Sequence, residues 1–312
     1  MILNHIKGCG CLGSPGKGEE KMAYKITEEK MASYRQHMVR EEFAPDTIKK
    51  YLRDIRAFAA WLEGRVAESP EDGSAVPVDR EAAAGWKTYL TKAGYAPVTI
   101  NAMLSSLNGF FEFMGWEECK VKFLKIQRRT FREQEKELSR AEYERLLTAA
   151  KAAGNSRLAL LLETICATGI RVSEVRYITV EAFRRKRADI SLKGKIRTIL
   201  LPGKLCKKLR EYARRQNIAE GEVFISPSGK SMSRCQIWRE MKKLCERADV
   251  NPSKVFPHNL RHLFARTFYK VSRDIVKLAD VLGHSSIETT RIYLMSTGEM
   301  HARQMERLGL VS

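Results

Sequence analysis

The sequence predicts a mainly α-helical protein in two domains, with a small β-hairpin in the second. Three observations carry this. Apolar residues recur at helical spacing from residue 27 to about residue 123, with no strand pattern among them. After a charged, weakly periodic stretch, Leu138-Ser139-Arg140-Ala141-Glu142-Tyr143 supplies a capping box (Ser139 with Glu142) and a hydrophobic staple (Leu138 with Tyr143), which open a new helix. The clear β signal is confined to two short apolar runs, 188–192 and 197–201, separated by a basic turn around Lys193-Gly194-Lys195.

In chain order, residues 1–22 lack periodicity and are read as a disordered leader or an over-annotated start. Codons for Gly18-Glu19-Glu20 are purine-rich, as ribosome-binding sites are, so Met22 is the expected natural start. Residues 23–125 form the first domain. Ile48, Tyr51, Leu52, Ile55, Phe58, Ala59 and Leu62 make one helical stripe, which Gly64 is expected to stop. A polar loop, 68–77, follows. A second helix covers 79–92 and ends at Gly94. Pro97 opens another, with Ile100, Met103, Leu104, Leu107, Phe110, Phe111 and Met114 on one side and Gly115 as its stop. Lys49, Lys50, Arg53 and Arg56 either face phosphate or form the solvated side of an amphipathic helix; the residues leave both open.

Residues 126–137, with Arg128-Arg129 near their start, read as a charged linker that would lie along a duplex backbone if two domains clamp one. The second domain, 138–312, contains a largely apolar, buried helix over 155–168. That helix ends in Thr168-Gly169-Ile170-Arg171-Val172-Ser173-Glu174. The hairpin follows, preceded by Arg184-Arg185-Lys186-Arg187. An amphipathic helix over 202–216, a short strand at 223–225 and a basic helix over 233–248 complete the approach to Phe256.

The totals narrow the partner. A formal net charge of +19, with 56 basic against 37 acidic residues, favours a polyanion, most simply nucleic acid. Seven cysteines without a Cys-x-x-Cys make no disulfide framework and fit reduced, intracellular thiols. No apolar run reaches the length of a membrane span, and the N-terminus lacks the apolar core of a signal peptide.

The last motif runs Pro257-His258-Asn259-Leu260-Arg261-His262, then Leu282-Gly283-His284, then Arg291-Ile292-Tyr293. His258, Arg261 and His262 share one helical face, a set that suits an anion better than a dry core. Singly, each has a plain reading: polar helix positions, a solvated arginine, a half-buried tyrosine. Arg171 singly is an i, i+3 ion pair with Glu174.

Taken in order, these motifs resemble the tyrosine recombinase (phage integrase) family, in its compact Xer-like form. The resemblance runs from about residue 24 onward. It implies an N-terminal helical, SAM-like core-binding domain that clamps DNA, and an α-rich catalytic domain with a small sheet. It implies that Arg171 and Arg261 bind the scissile phosphate. Lys193 would protonate the departing 5′ oxygen, His258 would assist proton transfer at the tyrosine, His284 would hydrogen-bond the phosphate, Tyr293 would be the nucleophile, and Glu174 would support Arg171. The family's hairpin usually reads Gly-Lys-Gly with a longer turn; here Leu192 replaces the first glycine, so Lys195 rivals Lys193. Lys49, Arg53, Arg128, Arg129 and Lys195 are further DNA-contact candidates. The implied partner is double-stranded DNA, held by a homotetramer on two synapsed sites, with a terminal helix over 297–308 docking in trans or packing on its own domain. The implied place is the cytoplasm of a bacterium or an infected cell, at the nucleoid.

The chemistry suits the residues. A phenol is almost wholly protonated at neutral pH, so attack needs a base and a nearby cation. Charge gathering on the phosphate oxygens is met by two arginines and a histidine, and a lysine can protonate the leaving alkoxide. The phosphotyrosyl product is a phosphodiester like its precursor, so no ATP, cofactor or metal is called for. Three rivals remain: a type IB topoisomerase, a catalytically silent DNA-binding protein, and a zinc site made by His258, His262 and His284, which two adjacent arginines would disfavour.

Overall fold

A computed structural model describes residues 24–68, 78–126, 137–192, 195–294 and 305–308. The chain divides into two compact units between Gln127 and Arg128.

In the first unit, α1 (Glu28–Arg40) begins where the Thr27 hydroxyl accepts from the Lys30 amide at 3.3 Å. The second helix, α2 (Pro45–Glu68), carries the predicted stripe, with Ile55 and Phe58 fully buried. The Asp79 carboxylate, 2.7 Å from the Ala82 amide, starts α3 (Arg80–Lys92). Pro97 opens α4 (Pro97–Met114), and Leu104, Phe110 and Phe111 meet the α2 stripe in the core. One expectation fails here: α2 runs through Gly64 to Glu68. An interior glycine costs only about 1 kcal/mol, and Gly64 has neither a left-handed backbone nor a neighbour within 4 Å of where a Cβ would sit.

The second unit starts with the predicted capping box: Glu142 N donates to Ser139 Oγ (3.2 Å) and Ser139 N to the Glu142 carboxylate (2.7 Å). That box opens α5 (Arg140–Ala152). The apolar α6 (Ser156–Thr168) lies at the centre of the core, packed by α5, by α8 (Gly203–Arg215) and by α10 (Pro257–Ser272). Between them, α7 (Val180–Arg185) leads into an antiparallel pair, β1 (Arg187–Leu192) and β2 (Lys195–Leu200). Leu192 pairs with Lys195, so β2 starts two residues earlier than the apolar run implied and Lys195 belongs to the strand rather than to the turn. Two further expectations are corrected. Residues 223–225 form no ladder: Ile225 makes an isolated bridge to Ser231, as Glu222 just before the segment does to Thr179; Val223 and Phe224 are apolar because they fill the core, not because a neighbouring strand pairs them. The basic helix α9 is short, Arg234–Lys242, and turns follow it. Leu244, Cys245 and Ala248 stay buried, which keeps the helical period going after the regular helix has ended. After α10 come α11 (Ile275–Leu282) and α12 (Ile287–Leu294).

Candidate active site

The site assembles from three chain breaks. Buried α6 stops at Gly169, whose backbone is left-handed (φ 64°) and where any Cβ would run into the Phe264 ring. The chain therefore leaves the core abruptly and presents Arg171 three residues after Thr168. Glu174, 2% exposed, fixes that arginine: one carboxylate oxygen accepts from the Arg171 amide at 2.7 Å, the other from Arg171 Nη1 at 3.0 Å. The predicted i, i+3 pair thus exists and is aimed.

Pro257 begins α10, and Arg261 lies one turn in, 1% exposed. Its Nη1 donates to the Gly169 carbonyl, its Nη2 to the Leu282 carbonyl at 2.7 Å, and its Nε to the Tyr293 hydroxyl at 3.4 Å. Arg171 Nη2 reaches the next carbonyl, that of Gly283, at 3.4 Å. The two arginines, 90 positions apart in sequence, therefore grip adjacent peptides of one turn. Burial pulls the Arg261 pKa down to about 10, and the positive charges of Arg171 and Arg197 pull the same way, against a raising contribution from Tyr293. Among the described residues no carboxylate pairs with Arg261. A buried cation in contact with carbonyls, a phenol and an imidazole is chemically suited to an anion, because uncompensated buried charge is costly.

Gly283 ends α11 (φ 62°), and a Cβ there would lie 2.5 Å from Arg197 Cδ. The next residue, His284, places Nε2 at 2.9 Å from Arg261 Nη2 and Nδ1 at 2.8 Å from the hydroxyl of fully buried Thr290. A guanidinium has no acceptor, so Nε2 accepts and Nδ1 carries the proton given to Thr290. Burial, followed by the charges of Arg261, Arg171 and Arg197, brings the His284 pKa down to about 4. From α12, Tyr293 (6% exposed) lies against this cluster: its ring centroid is 4.2 Å from His262, 5.3 Å from His284 and 5.4 Å from His258.

Thus Arg171, Glu174, His258, Arg261, His284 and Tyr293 come together. Lys193, Arg128 and Arg129 lie outside the described residues, as does most of the 297–308 segment; the backbone of Lys195 heads β2. On α2, Lys49 is exposed, whereas Lys50 and Arg53 both donate to buried Asp54, at 2.7 and 2.9 Å. Lys50 also donates to the Ala102 carbonyl and the Ser106 hydroxyl and is thereby structural, whereas the Arg53 side chain stays 74% exposed. Among the described residues no group of three or more His, Cys, Asp or Glu is arranged to hold a metal, and no helix is long and apolar enough to cross a membrane.

Residues 136–300, more than half of the chain, match the profile of the phage integrase family, and residues 32–118 match that of the phage integrase N-terminal SAM-like domain. The chain belongs to the phage integrase family. Among similar proteins is the tyrosine recombinase XerD of Xanthomonas campestris, 29% identical over 288 residues, covering 85% of this chain and 87% of the relative. Solved structures of similar fold include the XerH site-specific recombinase bound to its difH substrate in a pre-cleavage complex (TM-score 0.65, 18% identity, 92% of this chain and 85% of that one). A lambda integrase tetramer bound to a Holliday junction is another (TM-score 0.66, 16% identity, 88% and 78%). The resemblance read from the motifs is borne out, as is the mainly helical fold with its SAM-like first domain. With it comes the activity: this integrase is a tyrosine-type site-specific recombinase, and the topoisomerase and silent-binder readings are not favoured.

The motif reading missed three members of the integrase's site. His262, by sequence a polar residue on a shared face or a zinc ligand, sets its ring against Tyr293, with centroids 4.2 Å apart and planes tilted by 31°. Thr290, fully buried in α12, orients His284. Arg197 heads the apolar run 197–201 in the sequence; the signal of an inward arginine is its register, since 197, 199 and 201 alternate with outward-facing 196, 198 and 200.

Two outcomes follow. His284 has an ordinary pKa of 6.5 and a folded one of about 4, so between these values the unfolded chain binds more protons than the folded one. The stability this contributes is present above pH 6.5 and is lost as pH falls towards 4. Urea midpoints across that range should drop more steeply for the wild type than for His284→Gln; parallel curves would contradict the assignment. Thr290→Val keeps shape but leaves Nδ1–H without its acceptor. Single-turnover DNA cleavage should slow by about tenfold to a hundredfold, as for other groups that orient a reacting residue.

Proposed function

We propose that this integrase cuts and rejoins double-stranded DNA through a 3′-phosphotyrosyl link formed by Tyr293. The observation that carries the proposal is buried Arg261, a cation that has no carboxylate partner among the described residues and touches the Tyr293 hydroxyl at 3.4 Å. The phosphodiester supplies the missing anion. Arg261 and Arg171 bear on its non-bridging oxygens. The Tyr293 oxygen attacks phosphorus as its proton passes to His258, and the bond from phosphorus to the 5′ oxygen breaks. A hairpin lysine, Lys193 or Lys195, gives that oxygen its proton. A 5′ hydroxyl then attacks the phosphotyrosine in the reverse sense, so both bonds exchanged are phosphodiesters and no energy source is consumed.

His284 reaches its role by exchanging a proton position. In the DNA-free geometry its Nε2 accepts from Arg261. When the phosphate takes the place of His284 at Arg261, the imidazole changes tautomer: solvent takes the Nδ1 proton and returns one to Nε2, the Thr290 hydroxyl turns from acceptor to donor toward Nδ1, and Nε2–H donates to the phosphate. Tyr293 is 6% exposed, so α12 moves to admit the backbone.

The first unit, residues 23–125, clamps the duplex, with Lys49 and Arg53 toward phosphate, and residues 126–137 link it to the catalytic unit, 138–312, with Arg128 and Arg129 on the backbone. Four copies act on two synapsed sites, a reading supported by the tetrameric lambda integrase, with the 297–308 segment docking onto a neighbour. The place of action is the cytoplasm, at the nucleoid. Affinity should fall about 10³–10⁵-fold between roughly 50 and 200 mM salt if about 6–10 phosphates are contacted.

The test is a plasmid bearing two copies of a site that the protein selects from random duplexes, incubated with EDTA and without ATP. Deleted or inverted plasmid is expected. Relaxation alone would favour the topoisomerase reading, and dependence on a divalent ion would contradict the proposal.

A further inference from the structure

Arg197 has a place in the site that the chemistry above leaves unused. It projects from the inner register of β2, opposite Ile190, among residues that otherwise fill the core. Its side chain is 14% exposed. Its Nη2 donates to Glu174 at 2.5 Å, on the same carboxylate oxygen that accepts from the Arg171 amide. Its Nη1 donates to the Leu282 carbonyl, which Arg261 also uses. Its Cδ lies where a side chain on residue 283 would have to go, so Gly283 is needed to let it pass.

These contacts have a cost. The Nε of Arg197 is buried with no hydrogen-bond partner among the described residues, and burial lowers the Arg197 pKa despite the Glu174 charge beside it. A fold seeking stability alone would place an apolar residue at this inward position. What the arginine does instead is join three separate pieces: the hairpin, the Glu174 carboxylate that aims Arg171, and the turn that carries His284.

We propose that Arg197 is a positioning residue, a strut that holds Glu174 and the Leu282–Gly283 turn at one spacing and thereby sets Arg171 and His284 against the phosphate. Its reach from β2 also makes that alignment depend on the register of the hairpin that bears the lysine acid. Arg197 touches no reacting atom; it acts through Glu174 and the turn.

The inference rests on the recombinase reading, and the experiment separates the two. Full-length wild type, Arg197→Ala, Arg197→Lys, Glu174→Gln and the Arg197→Ala/Glu174→Gln double variant are given the selected duplex, nicked beside the cleavage point so that cleaved product is trapped. Affinity, single-turnover rate and melting temperature are measured for each. For Arg197→Ala the rate should fall roughly tenfold to a hundredfold, the scale for a group that orients a reacting residue, with affinity unchanged. Arg197→Lys, which keeps the charge and one contact, should recover part of the rate. In the Glu174→Gln background the alanine change should cost little more, because both act on one alignment. Wild-type rates in Arg197→Ala, strict additivity with Glu174→Gln, or a rate loss matched by equal losses of affinity and melting temperature would each overturn the proposal. If the wild type forms no covalent product, the recombinase reading itself fails and this inference with it.

Discussion

Arg261→Gln should slow covalent DNA cleavage by about 10³-fold, the upper range for removal of one preorganised donor from developing charge. Three features of the site set that size. Arg261 is 1% exposed, so its field is little screened by water. It contacts the Tyr293 hydroxyl and the His284 ring, so its loss also loosens the nucleophile and the second phosphate donor. Among the described residues no carboxylate shares its charge, which leaves that charge to act on the phosphate. Affinity for the duplex should change little, because one buried contact is lost among about 6–10 at the surface. Stability should also change modestly. Relief from burying a cation offsets the carbonyls of Gly169 and Leu282 left with fewer donors, a loss of about 1–3 kcal/mol. The check is single-turnover cleavage beside a binding titration. A variant that binds weakly but cleaves normally once saturated would assign Arg261 to affinity instead.

Glu174→Ala should have the largest effect on stability, about 3–5 kcal/mol, the scale for breaking a buried ion pair by removing one partner. Glu174 is 2% exposed and serves two guanidinium groups and a backbone amide. Its removal leaves Arg197, already largely enclosed, without its counter-charge. Arg171, whose side chain is 41% exposed, suffers less in energy but loses its aim. Cleavage should therefore collapse even at temperatures where the variant is folded. Glu174→Gln, which keeps one acceptor and the shape, should fall between. Urea unfolding of the three proteins measures the first effect; cleavage rates well below each midpoint measure the second. Unchanged unfolding in Glu174→Ala would show that the two arginines find other partners.

Helices with a stripe and a cap were legible in the sequence because both signals are local. Ser139 with Glu142 marks a boundary through two hydrogen bonds to near backbone amides, and Pro97 marks one through its fixed φ. Arg171 and Arg261 were legible for a different reason: each follows a structural stop or start that only makes sense if the side chain is being presented. What was illegible depends on distant contacts. The helix through Gly64 continues because nothing there requires a turn. Residues 223–225 and 243–248 show apolar spacing imposed by the core while their backbones do something else. Arg197 and Thr290 look unremarkable in sequence since their partners, Glu174 and His284, are 23 and 6 positions away and belong to other turns of the fold.

The central claim is that the Tyr293 oxygen displaces a sugar oxygen at phosphorus inside a cage of arginines. The most direct measurement is to trap the protein on a nicked duplex, digest the complex and locate the nucleotide-bearing peptide by mass spectrometry. The account predicts a single modified residue, Tyr293, attached to a 3′ phosphate, and no adduct from Tyr293→Phe. A nucleotide found on any other residue, or an adduct that survives Tyr293→Phe, would contradict it.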